Sequence, residues 1–185
     1  MKLRRMNFGT CIVFGALTMV AGCSSMGNLF SKKLSATAVL APTKGNSVSG
    51  TVNFVQKGEV VMIDAKINGL SSNGVHAIHI HEKGNCTGDG SSAGAHFNPE
   101  ASRHGGPTST QHHAGDLGNL TADANGFARL SLSVGGITLG TGANSIIGRA
   151  VIIHAGTDDF KTQPTGNAGA RVACGLVSKN PDRVF

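Results

Sequence analysis

All eight histidines of this chain lie between positions 76 and 154. His79 and His81 stand two apart in VHAIHIHE (75–82). On a strand that spacing sets both imidazoles on one face, about 7 Å apart along the backbone. A run rich in Gly, Ser, Asn and Pro follows, Glu82–Leu117, and it holds His96, His104, His112, His113 and Asp116. A compact domain rarely keeps so long a loop unless it is used. The segment lacks the apolar residues that would hold it to a core, whereas metal–ligand bonds would supply the ordering energy. His113-Ala-Gly-Asp116 places an imidazole and a carboxylate three apart on a turn, a donor pair that suits zinc. His104 precedes Gly105-Gly106-Pro107, whose glycines let the backbone fold closely around an ion.

Each of these residues has a blander reading when taken singly. An isolated HxH is a surface pair on an edge strand. His104 is a solvated loop residue, His96 is unremarkable, His154 is a core histidine and Asp158 an exposed acid. Their joint occurrence in one chain argues against all of these together.

The chain has 185 residues, enough for one domain with a real core. The formal charge is +6, and Lys2, Arg4 and Arg5 account for half of it. The remainder is a weak balance, without the basic runs that nucleic-acid binders show. MKLRRMN followed by CIVFGALTMVAG reads as an export signal, too short in its apolar part to span a membrane. Val20-Ala21-Gly22-Cys23 resembles a bacterial lipobox. That resemblance implies cleavage before Cys23, lipidation of Cys23, and a periplasmic lipoprotein anchored to a membrane. The expected organisation is a signal over 1–22, a tether over 23–34 and one domain over 35–185. With Cys11 removed and Cys23 lipidated, Cys86 and Cys174 remain, and an even pair on an exported chain reads as one disulfide.

The elements that must carry the histidines are strands. Strands are expected at 35–41, 48–56 and 59–68. In the third, Val61, Ile63, Ala65 and Ile67 share one face, opposite Asp64 and Lys66. Residues 76–81 alternate again, with Ile78 and Ile80 facing away from His79 and His81. Leu120 opens a further strand, turned at Asp123-Ala124-Asn125-Gly126 and returning with Leu130, Leu132 and Val134 inward. Residues 146–154 form an apolar strand, and a second polar loop, 155–170, leads to a last strand at 171–177. About eight short strands at this spacing argue for an antiparallel sandwich or barrel.

VHAIHIHE, SAGAHFNP, RHGGP, HAGDLGNL, IIGRAVIIH and GNAGARVACG together resemble copper/zinc superoxide dismutase, in the same order and at similar spacing. The resemblance spans about residues 35–178. It implies an all-β, eight-stranded Greek-key barrel of immunoglobulin-like sandwich type with two long functional loops. It implies that His79, His81, His96 and His154 bind copper, and that His96, His104, His113 and Asp116 bind zinc, with His96 bridging. It gives Asp158 the role of an acceptor for His79 and His104, pairs Cys86 with Cys174, and makes Arg171 the cation that positions superoxide. Lys161 is a further steering charge, His76 a structural residue and His112 a solvated neighbour of His113. A homodimer is the further expectation. The alternative, from another class, is a non-catalytic copper-binding or copper-handling module on the same fold. The presence of every ligand and of Arg171 favours the enzyme.

Overall fold

A computed structural model describes residues 34–181. The expected signal segment, Cys23 and nearly all of the tether lie outside the described residues. Among the described residues there are eight strands: β1 Ser35–Pro42, β2 Ser49–Lys57, β3 Val60–Asn68, β4 Val75–His81, β5 Asp116–Thr121, β6 Ala128–Val134, β7 Ala150–His154 and β8 Arg171–Lys179. They form one antiparallel sheet in the order β5-β4-β7-β8-β1-β2-β3-β6. The turn after β5 brings the two edge strands beside one another, so the sheet nearly closes into a barrel, as expected. Helical structure among the described residues is one 3-10 turn, Ser91–Ala93.

The alternation in the sequence explains the core. Val61, Ile63, Ala65 and Ile67 are buried while Met62, Lys66 and Asn68 are exposed. Phe54, Ile63, Ile67, Leu117 and Leu120 are among the fully buried large side chains of the interior. β4 and β7 differ from the others, because both of their faces are covered. Ile78, Ile80, Val151 and Ile153 join the main core. On the opposite face Ala150 and Ile152 pack with Ala93 and Cys174 in a second, smaller cluster. His79, His81 and His154 share that second face by strand alternation. The 82–115 loop lies over it, and the Cys86–Cys174 disulfide ties the loop to β8. Contrary to the sequence expectation, the segment Glu82–Leu117 also has apolar anchors, since Phe97 and Leu117 are buried in the main core.

Two strand starts differ from expectation by four residues, and the other boundaries fall within two. β5 begins at Asp116 rather than Leu120. A hydrophobic pattern marks only Leu117 and Leu120 there, and Gly118 and Asn119 obscure the strand. β7 begins at Ala150 rather than Ile146. Residues 146–149 instead make a turn through Gly148, at φ +79°. Arg149 secures that turn, donating from Nε to the Ser145 carbonyl at 2.7 Å and from a guanidinium NH to the Glu82 carbonyl at 2.7 Å. Its guanidinium also lies 3.6 Å from the centre of the Phe97 ring. Ile146 remains fully buried, so an apolar run belongs to the core without being a strand.

Candidate metal centre

Backbone hydrogen bonds seat the 82–115 loop on β4. Glu82 N–H donates to Ala95 O at 2.9 Å, and Phe97 N–H to Ile80 O at 2.8 Å. These bonds bridge His96 to His81 in antiparallel fashion. Gly115 N–H then donates to Phe97 O at 2.9 Å, which delivers the start of β5 to the same place.

Two β-bulges complete the aiming. Along β4 and β5 the register pairs Ala77 with Asn119 and His79 with Asp116, so β5 carries one extra residue. The extra residue falls at Leu117–Gly118, and Gly118 has φ +93°, which a side chain would rarely tolerate. Along β7 and β8, Ile153 pairs with Ala173 and His154 with Arg171, so Val172 is the extra residue. The first bulge puts Asp116 opposite His79, and the second puts Arg171 opposite His154.

The result is two groups of buried donors whose ligand atoms lie within 4.8 Å of one another. One contains His79, His81, His96 and His154; the other contains His96, His104, His113 and Asp116. His96 belongs to both. Its Nδ1 is 2.8 Å from Asp116 Oδ1 and 3.5 Å from His113 Nδ1, so that nitrogen faces the second group. Its Nε2 faces the first and is buried without a hydrogen-bond partner.

Outer hydrogen bonds select the nitrogens that face inward. His81 Nδ1 donates to Gly94 O at 2.9 Å, and His154 Nδ1 donates to Gly169 O at 3.0 Å. A carbonyl only accepts, so in the neutral ring each Nε2 is a bare lone pair. Those two lone pairs face each other at 3.4 Å. They repel unless a cation lies between them. Asp158 does the same for the other rings: Oδ2 accepts from His79 Nε2 at 2.8 Å and Oδ1 from His104 Nε2 at 2.9 Å. That leaves His79 Nδ1 and His104 Nδ1 inward, buried and without hydrogen-bond partners. His104 Nδ1 does lie 3.0 Å from Asp116 Oδ2, but the pair is not aligned as a hydrogen bond. Both atoms point at a common position, as two ligands of one ion do.

Gly166 packs against the Asp158–His104 bond. At φ +67° it is in the left-handed region, and a Cβ there would overlap Asp158 Oδ1 and come within 2.6 Å of His104 Nε2.

The electrostatics keep these donors ready for cations. Burial pushes His81 down to about 2, His154 to about 3 and His96 to about 4, so all three are neutral near pH 7. Burial works to raise the Asp116 carboxyl, but hydrogen bonds from His113 and His96 outweigh it and hold it below the usual carboxylate range. Asp158 is likewise held low against burial, by His79, the Phe160 N–H and His104. Four imidazoles suit copper or zinc, and three imidazoles with one carboxylate suit zinc.

Arg171 is half-buried beside the first group. It donates to Gly90 O at 2.6 Å and to Gly94 O at 2.6 Å, and its charge is felt at both His81 and His154. Burial lowers its own pKa, opposed by the charge of Asp89. The structure thus brings together every ligand candidate expected from sequence, with Asp158 and Arg171. His112 stays outside both groups and hydrogen-bonds to the His113 carbonyl at 2.8 Å. His76 accepts or donates at Ser71 Oγ, 2.7 Å away, and its Nδ1 lies 3.0 Å from the His154 carbonyl. Lys161 is exposed on the 155–170 loop. Sequence reasoning passed over the Gly94 and Gly169 carbonyls, Asn119 and Gly166. Only the repeated small residues in SAGA and GNAGA hinted at the carbonyls.

Comparison with known proteins agrees with this geometry. The family model for copper/zinc superoxide dismutase matches residues 48–177. A Cu-Zn superoxide dismutase of Paramecium bursaria Chlorella virus 1 is 43% identical over 167 residues, covering 87% of this chain and 86% of that protein. An extracellular Cu-Zn superoxide dismutase of Brugia pahangi is 42% identical over 156 residues, covering 80% and 77%.

Proposed function

The chain belongs to the copper/zinc superoxide dismutase family, and on that premise we propose how its residues divide the work. It is an oxidoreductase that converts two superoxide anions and two protons into O2 and hydrogen peroxide, with copper and zinc as cofactors. His79, His81, His96 and His154 would hold copper, and His96, His104, His113 and Asp116 would hold zinc, with His96 common to both groups. The observation that carries this reading is the pair of donor groups sharing His96, in which lone pairs face one another unscreened.

Bound copper supplies reversible one-electron chemistry, and bound zinc a redox-silent charge that holds the second donor set. The chain's own residues do the rest. Arg171 attracts and places the anion with a fixed cation. Two of its N–H groups are committed to Gly90 and Gly94, so the guanidinium is held in position. His96 Nε2, buried on the copper side without a hydrogen-bond partner, would carry a proton to the reduced product only when it is not holding the metal. Asp158 holds the His79 and His104 rings in the tautomer that turns Nδ1 inward. Metal analysis of the purified domain, with activity before and after copper loading, tests the assignment. Equimolar copper and zinc with copper-dependent activity is expected; activity indifferent to copper would overturn it.

We further propose export as a periplasmic lipoprotein anchored through Cys23. The basic start, the short apolar run and Val20-Ala21-Gly22-Cys23 support this. Fatty-acid labelling should mark the parent chain and not the Cys23→Ser variant, and equal labelling would sink the anchor. A homodimer completes the proposal, with a second copy meeting the outer face of β1 and β8. There Val39 and Leu176 are 69% and 43% exposed on paired strands. Sedimentation of the parent and of a Val39→Lys, Leu176→Lys variant tests it.

A further inference from the structure

Two side-chain amides here stand in for a strand neighbour. Asn119, on β5, donates from Nδ2 to Asp158 O at 3.0 Å and accepts from Asp158 N–H through Oδ1 at 2.9 Å. Gln163 does the same to His104: Nε2 donates to His104 O at 2.9 Å, and Oε1 accepts from His104 N–H at 2.9 Å. The first amide fixes the 155–170 loop to the barrel. The second projects from that loop and grips the backbone of a residue in the 82–115 loop. His104 lies outside every strand, so no ladder serves its backbone groups. Gln163 is itself exposed, so burial does not hold its side chain in place. The paired bonds do, together with a contact from Nε2 to Lys161 O at 3.2 Å.

We propose that Gln163 is a positioning residue for the zinc-side donors. Gripped at N–H and C=O, His104 cannot rotate about its own backbone. Its Nε2 is pinned to Asp158, and its Nδ1 therefore stays aimed at the point it shares with Asp116 Oδ2, 3.0 Å away. The site is thereby set before any ion arrives. This rests on the zinc assignment above.

The test is zinc affinity of the copper-free protein, read by competition with a chromophoric chelator, for the parent, Gln163→Ala and Gln163→Met. Both variants should bind zinc about tenfold to a hundredfold more weakly, the range seen when an outer partner of a ligand is lost. Cobalt(II) bound in place of zinc should show altered d–d bands in both. Thermal midpoints of the metal-free proteins should fall by no more than a few degrees, the effect of two lost hydrogen bonds with no apolar contact removed. Parent-like affinity in both variants would overturn the role of Gln163. So would weak binding in Gln163→Ala alone, which would make the effect one of side-chain bulk. A metal-free midpoint that falls well beyond a few degrees would show a mere loop staple. Failure of the parent to bind zinc would instead overturn the zinc assignment, and the proposal with it.

Discussion

Replacing both cysteines of the Cys86–Cys174 bridge by alanine should destabilise this protein by an amount that its topology fixes in advance. The two cysteines are 88 residues apart. In the chain-entropy model, opening a loop of that size returns entropy to the unfolded chain worth about 4.6 kcal/mol at 25 °C. Cys174 is buried beside Ala93, Ala150 and Ile152, so alanine rather than serine avoids leaving an unpaired hydroxyl there. For a domain of this size each kcal/mol moves the thermal midpoint by about 2–4 °C, so a drop of about 9–18 °C is expected. Calorimetry on metal-free parent and double variant measures it without the added stabilisation of bound ions. The effect acts through the unfolded state, so the free-energy difference should be the same when both proteins are loaded with metal. A metal-free shift smaller than about 3 °C would refute the reasoning. A much larger difference without metal than with it would show that the bridge acts by tethering the native loop.

Three other outcomes follow from the same geometry. Asp116→Ala removes the carboxylate facing His96, His104 and His113 and should empty zinc first, whereas His154→Ala should lose copper and activity while zinc stays; metal analysis of each decides, and identical losses would break the assignment. Arg171→Ala keeps all ligands, so copper and zinc should stay bound while superoxide decay after pulse radiolysis slows by about one to two decades, matching loss of roughly 1.5–3 kcal/mol. Arg171→Lys should recover part of that rate, and equal rates in parent and Ala variant would remove Arg171 from the mechanism. Gly166→Ala puts a Cβ onto Asp158 Oδ1 and should loosen the His104 contact, seen as weaker zinc binding by chelator competition; parent-like affinity would mean the loop yields at no expense to the site.

Much of this protein was legible in the sequence because its signals are local. Alternation in Val61, Ile63, Ala65 and Ile67 needs only a strand and a core. The HxH pair needs only that a strand put His79 and His81 on one face. The order of six motifs carried the ligand set, and the even cysteine pair carried the disulfide. Pattern failed where a residue was apolar without being in a strand, as at Ile146, or in a strand without being apolar, as at Asp116.

What the chain alone could not show was which residue faces which across the sheet. Direct extension of the β4–β5 register from Ala77 would have set His79 against Leu117, and that of β7–β8 would have set His154 against Val172. One extra residue in each partner strand turns these pairings into His79 with Asp116 and His154 with Arg171. A bulge is a compromise between ladders on two strands that are distant in sequence, and no local pattern encodes it. The choice of inward nitrogen on each imidazole is likewise tertiary. It depends on carbonyls at Gly94 and Gly169 and a carboxylate at Asp158, brought from other loops. Residue types determined that metals could bind; hydrogen bonds between distant segments decided which atoms face them.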